Sequence, residues 1–220
     1  MTNTETVAEA WRRRTTHKVA VDFTMMYVAH DAFNRDLARL VEAARAGKAN
    51  SPEAKATWAE FSKQLITHHH AEDESLWPRV REAIKDVDEF DVLEQMQAEH
   101  ETLDPLIERI DDALAVGEYG TLAADLDKLA THLAAHMRHE EEAALPIVAR
   151  RIGTAGWAAF GKDIRRAQGG IKAGRTYLPW VLDGAPELAR TTVLRVLPPP
   201  VRVLYRRVWE PAYQRSIRLR

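Results

Sequence analysis

The chain has 220 residues, of which 45% are hydrophobic and 29% charged, which is ordinary for a globular protein with one substantial core. It contains no cysteine, which excludes disulfides, thiolate metal sites and cysteine nucleophiles. Its longest apolar stretches fall short of the roughly 18 residues that a membrane span needs, and its N-terminus lacks the apolar segment of a secretory signal. We therefore expect a cytoplasmic protein.

The net charge of −2 conceals an uneven distribution of charge along the chain. Residues 150–220 contain 15 lysines and arginines and four acidic residues, a net of about +11, which leaves about −13 for residues 1–149. This split predicts an acidic domain over residues 15–152 and a basic extension over residues 153–220. The extension is expected to pack on the domain or to contact a partner.

Four segments show apolar residues every three or four positions, a spacing that predicts amphipathic helices. Their expected limits are Thr15 and Thr16 to Gly47, a start at Ser51 and Pro52, a start near Asp88, and a start at Gly120 and Thr121 with an end by Gly153. Four helices of about 20 to 30 residues with short connections predict an all-α fold, an antiparallel up-down four-helix bundle. Pro78, Pro105 and Pro146 are expected to kink or end their helices, because proline removes a backbone donor.

The basic extension has a weaker pattern. The glycine-rich stretch "QGGIKAG" at 168–174 predicts a break, and two short helices are expected on either side of the three prolines at 198–200. Arginines alternate with Tyr205, Trp209 and Tyr213, a composition compatible with an anionic membrane surface, a protein partner, a homodimer contact or packing on the domain. No regular nucleic-acid recognition motif is present, so binding to nucleic acid is not expected.

Six residues with metal-ligand chemistry lie on the apolar stripes of the four predicted helices. Two helices carry a histidine four residues before a glutamate, a spacing that places both side chains on one face, and the other two carry a single histidine. The six residues are His30, His68, Glu72, His100, His136 and Glu140. The two halves of the pattern repeat after 68 to 70 residues.

Helices that close on these stripes would bring four imidazoles and two carboxylates into an apolar centre. Because buried, unpaired carboxylates cost many kcal/mol, the centre requires protons or cations. Imidazole and carboxylate donors without sulfur suit iron, manganese or zinc, and two carboxylates favour a dinuclear site.

This order of motifs resembles the hemerythrin HHE cation-binding domain over roughly residues 15–150. The stretches "AEDESLWP" and "HEEEAALP", which contain the two glutamates, match the acidic, apolar and proline sequence typical of that family. The resemblance implies a four-helix bundle with two non-haem irons, bridged by the two carboxylates and an oxo or hydroxo group. A ferritin-like site is excluded, because no histidine here has a glutamate three residues before it.

The chain departs from the oxygen-carrying hemerythrins, which have a His-x-x-x-His pair on the third helix and a His-x-x-x-x-Asp on the fourth. Here the third helix offers only His100, and the fourth ends its motif in Glu140. His132 and Tyr27 are possible additional ligands by their spacing. Four histidines would leave a coordination position open on iron.

We therefore interpret the chain as a protein that binds or reacts with O₂, hydrogen peroxide or nitric oxide. Catalase-like peroxide decomposition in an oxidative-stress response is favoured on the sequence. The alternatives are an O₂-binding protein, a non-catalytic iron, oxygen or redox sensor, and a metal-storage or structural module.

We expect the remaining histidines and acids near the motifs to lie outside the set of metal ligands. Of the three consecutive histidines, His68 is chosen as the ligand because it aligns with His136 in the repeat. The histidines expected at the surface or outside the ligand shell are His17, His69, His70 and His139. The acids expected on a solvated face, or alternatively orienting ligand imidazoles, are Glu74, Glu141 and Glu142.

Overall fold

A computed structural model of the chain describes residues 7–16 and 20–220, and all regular structure in these ranges is helical. The α-helices are α1 (Val7–Thr16), α2 (Thr24–Arg45), α3 (Pro52–Ala71), α4 (Trp77–Ala83), α5 (Val87–Val116), α6 (Leu122–His139), α7 (Leu145–Arg151), α8 (Gly153–Ala167), α9 (Gly170–Val181), α10 (Glu187–Val196), α11 (Pro199–Leu204) and α12 (Glu210–Gln214). The all-α prediction is confirmed.

The long helices α2, α3, α5 and α6 pack against one another: α2 lies against α3 and α6, and α5 lies against α3 and α6. Their buried side chains form two apolar clusters, one around Phe33, Phe61 and Leu103 and the other around Leu76 and Met96. In α2 and α5 the chain passes first through the cluster around Leu76 and then through the cluster around Phe33. In α3 and α6, with the turns that follow them, the order is reversed. The predicted metal ligands lie where the two clusters meet.

Three π-helical turns interrupt the helices, and each begins six residues before a proline. The turns are Glu72–Leu76, Glu140–Ala144 and Tyr205–Trp209, followed by Pro78, Pro146 and Pro211. Proline lacks an N–H group and its ring pushes away the carbonyl of the preceding turn, and a wider turn accommodates both effects. The helical path therefore continues past Pro78 and Pro146, and Pro105 lies inside α5.

The helix starts confirm one sequence prediction and correct another. Ser51 caps α3 by accepting a hydrogen bond of 3.1 Å from the Ala54 N–H, with proline next in the chain. The residue at the N-cap position of α2 is Phe23, whereas Thr15 and Thr16 are the last residues of α1, a helix not expected from the sequence. α2 begins instead at Thr24.

Residues 153–220 are more helical than expected. The break predicted in the glycine-rich stretch is confirmed, since α8 ends at Ala167 and α9 begins after Gly169, whose φ of +98° suits glycine. Both α9 and α10 pack on α2. Trp180 of α9 is only 1% exposed, and its ring lies 5.4 Å from that of Phe33. Among the described residues, no helix is both long and apolar enough to cross a membrane.

Candidate metal centre

All six predicted ligands are buried at the junction of the two apolar clusters. Their donor atoms form groups in which every atom lies within 4.8 Å of the others. The three groups are His30, His68 and Glu140; Glu72, His136 and Glu140; and His69, His100 and His136. The structure thus brings the predicted residues together and adds His69 to them.

The shortest donor-to-donor distances fit shared metal coordination. Two ligands at right angles on an ion, with bonds of about 2.1 Å, have donor atoms about 3.0 Å apart. The observed pairs are His30 Nε2 and Glu140 Oε2 at 3.0 Å, His68 Nε2 and Glu72 Oε1 at 3.1 Å, and His100 Nε2 and His136 Nε2 at 3.2 Å.

Several of these donor atoms are buried without a hydrogen-bond partner in the part of the chain that the structure describes. They include both carboxylate oxygens of Glu72 and of Glu140, and Nε2 of His30 and of His68. Burial and the neighbouring charge of Glu140 raise the pKa of Glu72 well above its ordinary value. Apart from the two His–Glu pairs at 3.0 and 3.1 Å, these atoms have no hydrogen-bond partner among the described residues. A buried set of imidazoles and carboxylates of this kind fits cations.

His69 is the donor that the sequence analysis assigned to the surface or the outer shell, and its surface assignment is wrong. Its side chain is 3% exposed, and its ring stacks on that of His100 at 4.1 Å between centroids. Neither ring nitrogen has a hydrogen-bond partner among the described residues. A signal was present in the repeat: Met137, 68 residues further along, is an apolar residue and is also buried.

The two additional candidates, His132 and Tyr27, are less buried than the six predicted ligands. His132 is half-buried and belongs to none of the three groups. Tyr27 is half-buried, with its ring edge-on to Trp11 and Phe23. Burial and the charge of Glu141 raise the pKa of Tyr27 to about 12, so its phenol is neutral near pH 7. Its role as a ligand stays a prediction.

The other histidines differ in position. His70 is exposed, as expected. The Nδ1 atom of half-buried His139 lies 2.8 Å from Glu99, which places it beside the centre as an outer residue. His17 lies outside the described residues.

Three carboxylates contact the Nδ1 atoms of imidazoles that are predicted ligands. Asp73 lies 2.9 Å from His100 Nδ1, Glu99 lies 2.8 Å from His136 Nδ1, and Glu141 lies 2.9 Å from His30 Nδ1. When Nδ1 donates its proton to a carboxylate, Nε2 keeps its lone pair for a metal. The first and last contacts connect the two halves of the repeat, since each acid directly follows a motif glutamate of the opposite half.

Glu141 is therefore not on a solvated face, which corrects that interpretation; its side chain is 3% exposed. Glu74 and Glu142 are exposed, as expected. Arg14 of α1 donates hydrogen bonds of 2.9 and 2.5 Å to Glu141 and of 2.9 Å to Asp31. Burial raises the pKa of Glu141, but hydrogen bonds from His30 and Arg14 outweigh burial and lower this pKa to about 2.

Comparison with known proteins identifies a family for the chain. The family model described as the hemerythrin HHE cation binding domain matches residues 21–148, more than half of the chain. Neither a curated protein nor a solved structure shows significant similarity to the chain. The matched range contains every residue of the three donor groups.

Proposed function

Because the chain belongs to the hemerythrin HHE cation-binding family, we propose that its buried centre holds two iron ions. The observation that carries the proposal is five buried imidazoles around two buried carboxylates whose oxygens lack other partners. Nitrogen and oxygen donors without sulfur suit iron, and two shared carboxylates suit a pair of ions.

The donor groups support a division of the imidazoles into three and two. His69, His100 and His136 would hold one ion, and His30 and His68 the other. The Glu72 carboxylate faces both sets, with Oε1 at 3.1 Å from His68 Nε2 and Oε2 at 3.6 Å from His100 Nε2. Glu140 belongs to one group with His30 and to another with His136, which supports a bridging role for both glutamates.

We also propose that α2, α3, α5 and α6 form an antiparallel up-down four-helix bundle, with residues 153–220 as an extension packed on it. The alternating order of the two apolar clusters supports opposite directions for successive long helices. In such a bundle each ligand-bearing helix reaches the same central layer from a different side.

A bound iron pair supplies electron exchange with O₂, hydrogen peroxide or nitric oxide, and we propose that one of these is the ligand. An ion held by His30 and His68 would have fewer imidazole donors than one held by His69, His100 and His136, so a position for the small molecule would lie on that side. Phe33, whose ring lies 5.4 Å from that of His68, covers this side with apolar surface and limits the access of water. Glu141 fixes the His30 ring, and Arg14 fixes Glu141.

His69 changes the balance between small-molecule binding and peroxide decomposition. The sequence favoured decomposition because four histidines would leave several coordination positions open, and His69 as a fifth imidazole would occupy one of them. The three-and-two division instead supports the binding of one small ligand, which becomes the proposed function. Catalase-like activity, a cytoplasmic location and a partner for the basic extension stay predictions.

Anaerobic reconstitution with ferrous iron tests the proposal. We expect two irons per chain by elemental analysis, and an optical change on adding O₂ or nitric oxide that reverses when the gas is removed. One metal or none per chain would contradict the dinuclear centre. Steady evolution of O₂ from hydrogen peroxide, without a reversible O₂ spectrum, would restore peroxide decomposition as the function.

A further inference from the structure

A cavity of about 560 Å³ lies away from the metal centre, between α3 and the C-terminal segment. Its walls come from α2, α3, α9, α12 and residues 208–209 and 216–219. The volume is within the range of small-molecule sites in proteins. One wall is fixed to α3, because the Leu219 N–H donates a hydrogen bond of 2.8 Å to Thr57 Oγ1.

Most of the cavity wall is apolar and aromatic. The rings of Trp180, Trp209 and Tyr213 contribute, together with the aliphatic side chains of Val208 and Ile217. Aromatic walls of this kind bury the hydrocarbon or ring portion of a ligand and stabilise it by roughly 25 cal/mol for each Å² of apolar surface removed from water.

Arg218 supplies the buried cation of the cavity, and Arg175 supplies an exposed one. The Arg218 side chain is 7% exposed, and its Nη2 donates a hydrogen bond of 2.9 Å to Gln214 Oε1. Among the described residues neither Nε nor Nη1 has a hydrogen-bond acceptor. The Asp183 carboxylate approaches Nη1 only to 3.6 Å, and the guanidinium lies 4.1 Å from the Tyr213 ring centroid. A buried guanidinium with unused donors is costly, so an acceptor supplied by a ligand would be stabilising.

The acidic residues of the wall do not compete for that role. Asp36 already accepts hydrogen bonds from Arg35 Nε at 2.8 Å and from Trp180 Nε1 at 2.7 Å. Half-buried Glu60 accepts one from Gln64 at 2.8 Å. The unsatisfied groups of the cavity are therefore donors, which fits an anion.

We propose that this cavity binds an amphipathic carboxylate, whose headgroup accepts hydrogen bonds from Arg218 while its apolar body lies against Trp180 and Trp209. The site is separate from the proposed iron centre. The class of ligand follows from the buried Arg218 guanidinium, two of whose nitrogens lack hydrogen-bond acceptors among the described residues, next to an apolar wall.

Calorimetric titration of the full-length protein with decanoate, 1-decanol and decyltrimethylammonium tests the ligand class. We expect saturable 1:1 binding of decanoate, binding of 1-decanol weaker by about tenfold or more, and no binding of the cation. Equal affinity for decanoate and 1-decanol, stronger binding of the cation, or no decanoate binding would overturn the proposal.

Three variants locate the site. Arg218→Met should weaken the binding of decanoate to the level of 1-decanol. Arg220→Met should not, because Arg220 donates a hydrogen bond to the Gln214 carbonyl and does not line the cavity. Ala56→Phe, at an exposed helix position that lines the cavity, should fill the space and weaken both ligands without changing charge. Unchanged decanoate affinity in Ala56→Phe, with the fold verified by circular dichroism, would contradict binding here.

Discussion

His69 and His70 are separated by one helical step of about 100°, and that step separates a buried donor from an exposed side chain. The helix face directed at the centre is wide enough to include both His68 and His69, because α3 packs against α2 on one side and α5 on the other. An i,i+4 rule selects only residues in line with Glu72. It therefore overlooks His69, which forms a group with His100 and His136.

Replacing His69 with alanine should lower the iron content from two ions per chain to about one, since it removes one of three imidazoles from its group. His70→Ala is the matched control and should keep both ions, because His70 is exposed. Elemental analysis after ferrous reconstitution measures the difference. Equal iron content in the two variants would mean that His69 is not a ligand.

Replacing Glu141 with alanine should weaken iron binding by about 10- to 100-fold, because His30 loses the carboxylate that fixes its tautomer and orientation. Competition with a chelator of known iron affinity gives the change. Glu142→Ala serves as the control, since Glu142 is the exposed neighbour on the same turn. A similar loss in both variants would point to general acidity rather than to the His30 contact.

The four-residue spacing of the two motifs, the apolar stripes that carry His30 and His100, and the repeat of 68 to 70 residues together predicted which six residues come together. The same reasoning missed His69 and misplaced Glu141. Their positions depend on how the helices face one another across the centre. For His69 the repeat gave a signal of burial only, through its apolar counterpart Met137, and none for metal binding. The pairing of Glu141 with His30 joins opposite halves of the chain, which local spacing does not encode.

At the scale of elements, two prolines change the local helix type without ending the helical path. Pro78 and Pro146 were expected to kink or end their helices, but each follows a π turn that begins at a motif glutamate. The backbone N–H of Trp77 donates to the Glu72 carbonyl, as that of Leu145 does to Glu140. The wider turn is a local response to proline. Packing between helices, rather than helix propensity, then decides which side chains after the turn face the core.

The connection after α9 is attached to α2 through Asp183. Its carboxylate lies 3.1 Å from Arg39 Nη1 and 3.9 Å from Arg35 Nε. Burial raises its pKa, but the arginines Arg35, Arg39 and Arg218 outweigh burial and lower the pKa of Asp183 below its ordinary value. A carboxyl whose pKa is lower in the folded state stabilises that state above the unfolded pKa, and the contribution is lost as the pH falls through the folded pKa.

Asp183→Asn should therefore lower the free energy of unfolding by about 1 kcal/mol near neutral pH. The difference from the parent protein should stay constant down to about pH 5 and shrink below about pH 4, the region where an unfolded aspartate takes up its proton. Urea denaturation at a series of pH values measures it. Asp127→Asn, in an exposed pair with Arg45, should show almost no difference, and a pH-independent Asp183→Asn effect would contradict the ionic role.

At the scale of the whole molecule, the opposite net charges of the two parts would predict pairs between basic residues of 153–220 and acids of the rest of the chain. The observed ion pairs run the other way. Ion pairs between the two parts in the described ranges join arginines of the acidic part to acids of the basic part, as in Arg39 with Asp183 and Arg79 with Asp163. Arginines of the extension such as Arg206 and Arg207 remain exposed. Its excess positive charge is thus directed to solvent, which keeps an anionic partner as a prediction.

Burial of aromatic side chains, rather than net charge, accounts for the packing of the extension on α2. Trp180 contacts Phe33, whose ring in turn lies beside that of His68, a predicted ligand. The indole N–H of Trp180 donates to Asp36. A side chain in this position should behave as part of one core with the long helices. The charge split along the sequence indicated two regions but contained no information on this shared core.

Replacing Trp180 with alanine should therefore destabilise the whole molecule by about 3–5 kcal/mol, the cost of a large cavity in a packed core. Guanidinium denaturation of the iron-loaded protein, followed by both circular dichroism and iron absorbance, should show one transition that moves to lower denaturant in both signals. Leu188→Ala, at a residue of α10 that is 62% exposed, should shift neither by more than about 0.5 kcal/mol. If Trp180→Ala moved part of the dichroism signal and left the iron signal in place, residues 153–220 would unfold as a separate unit, and the shared core would be wrong.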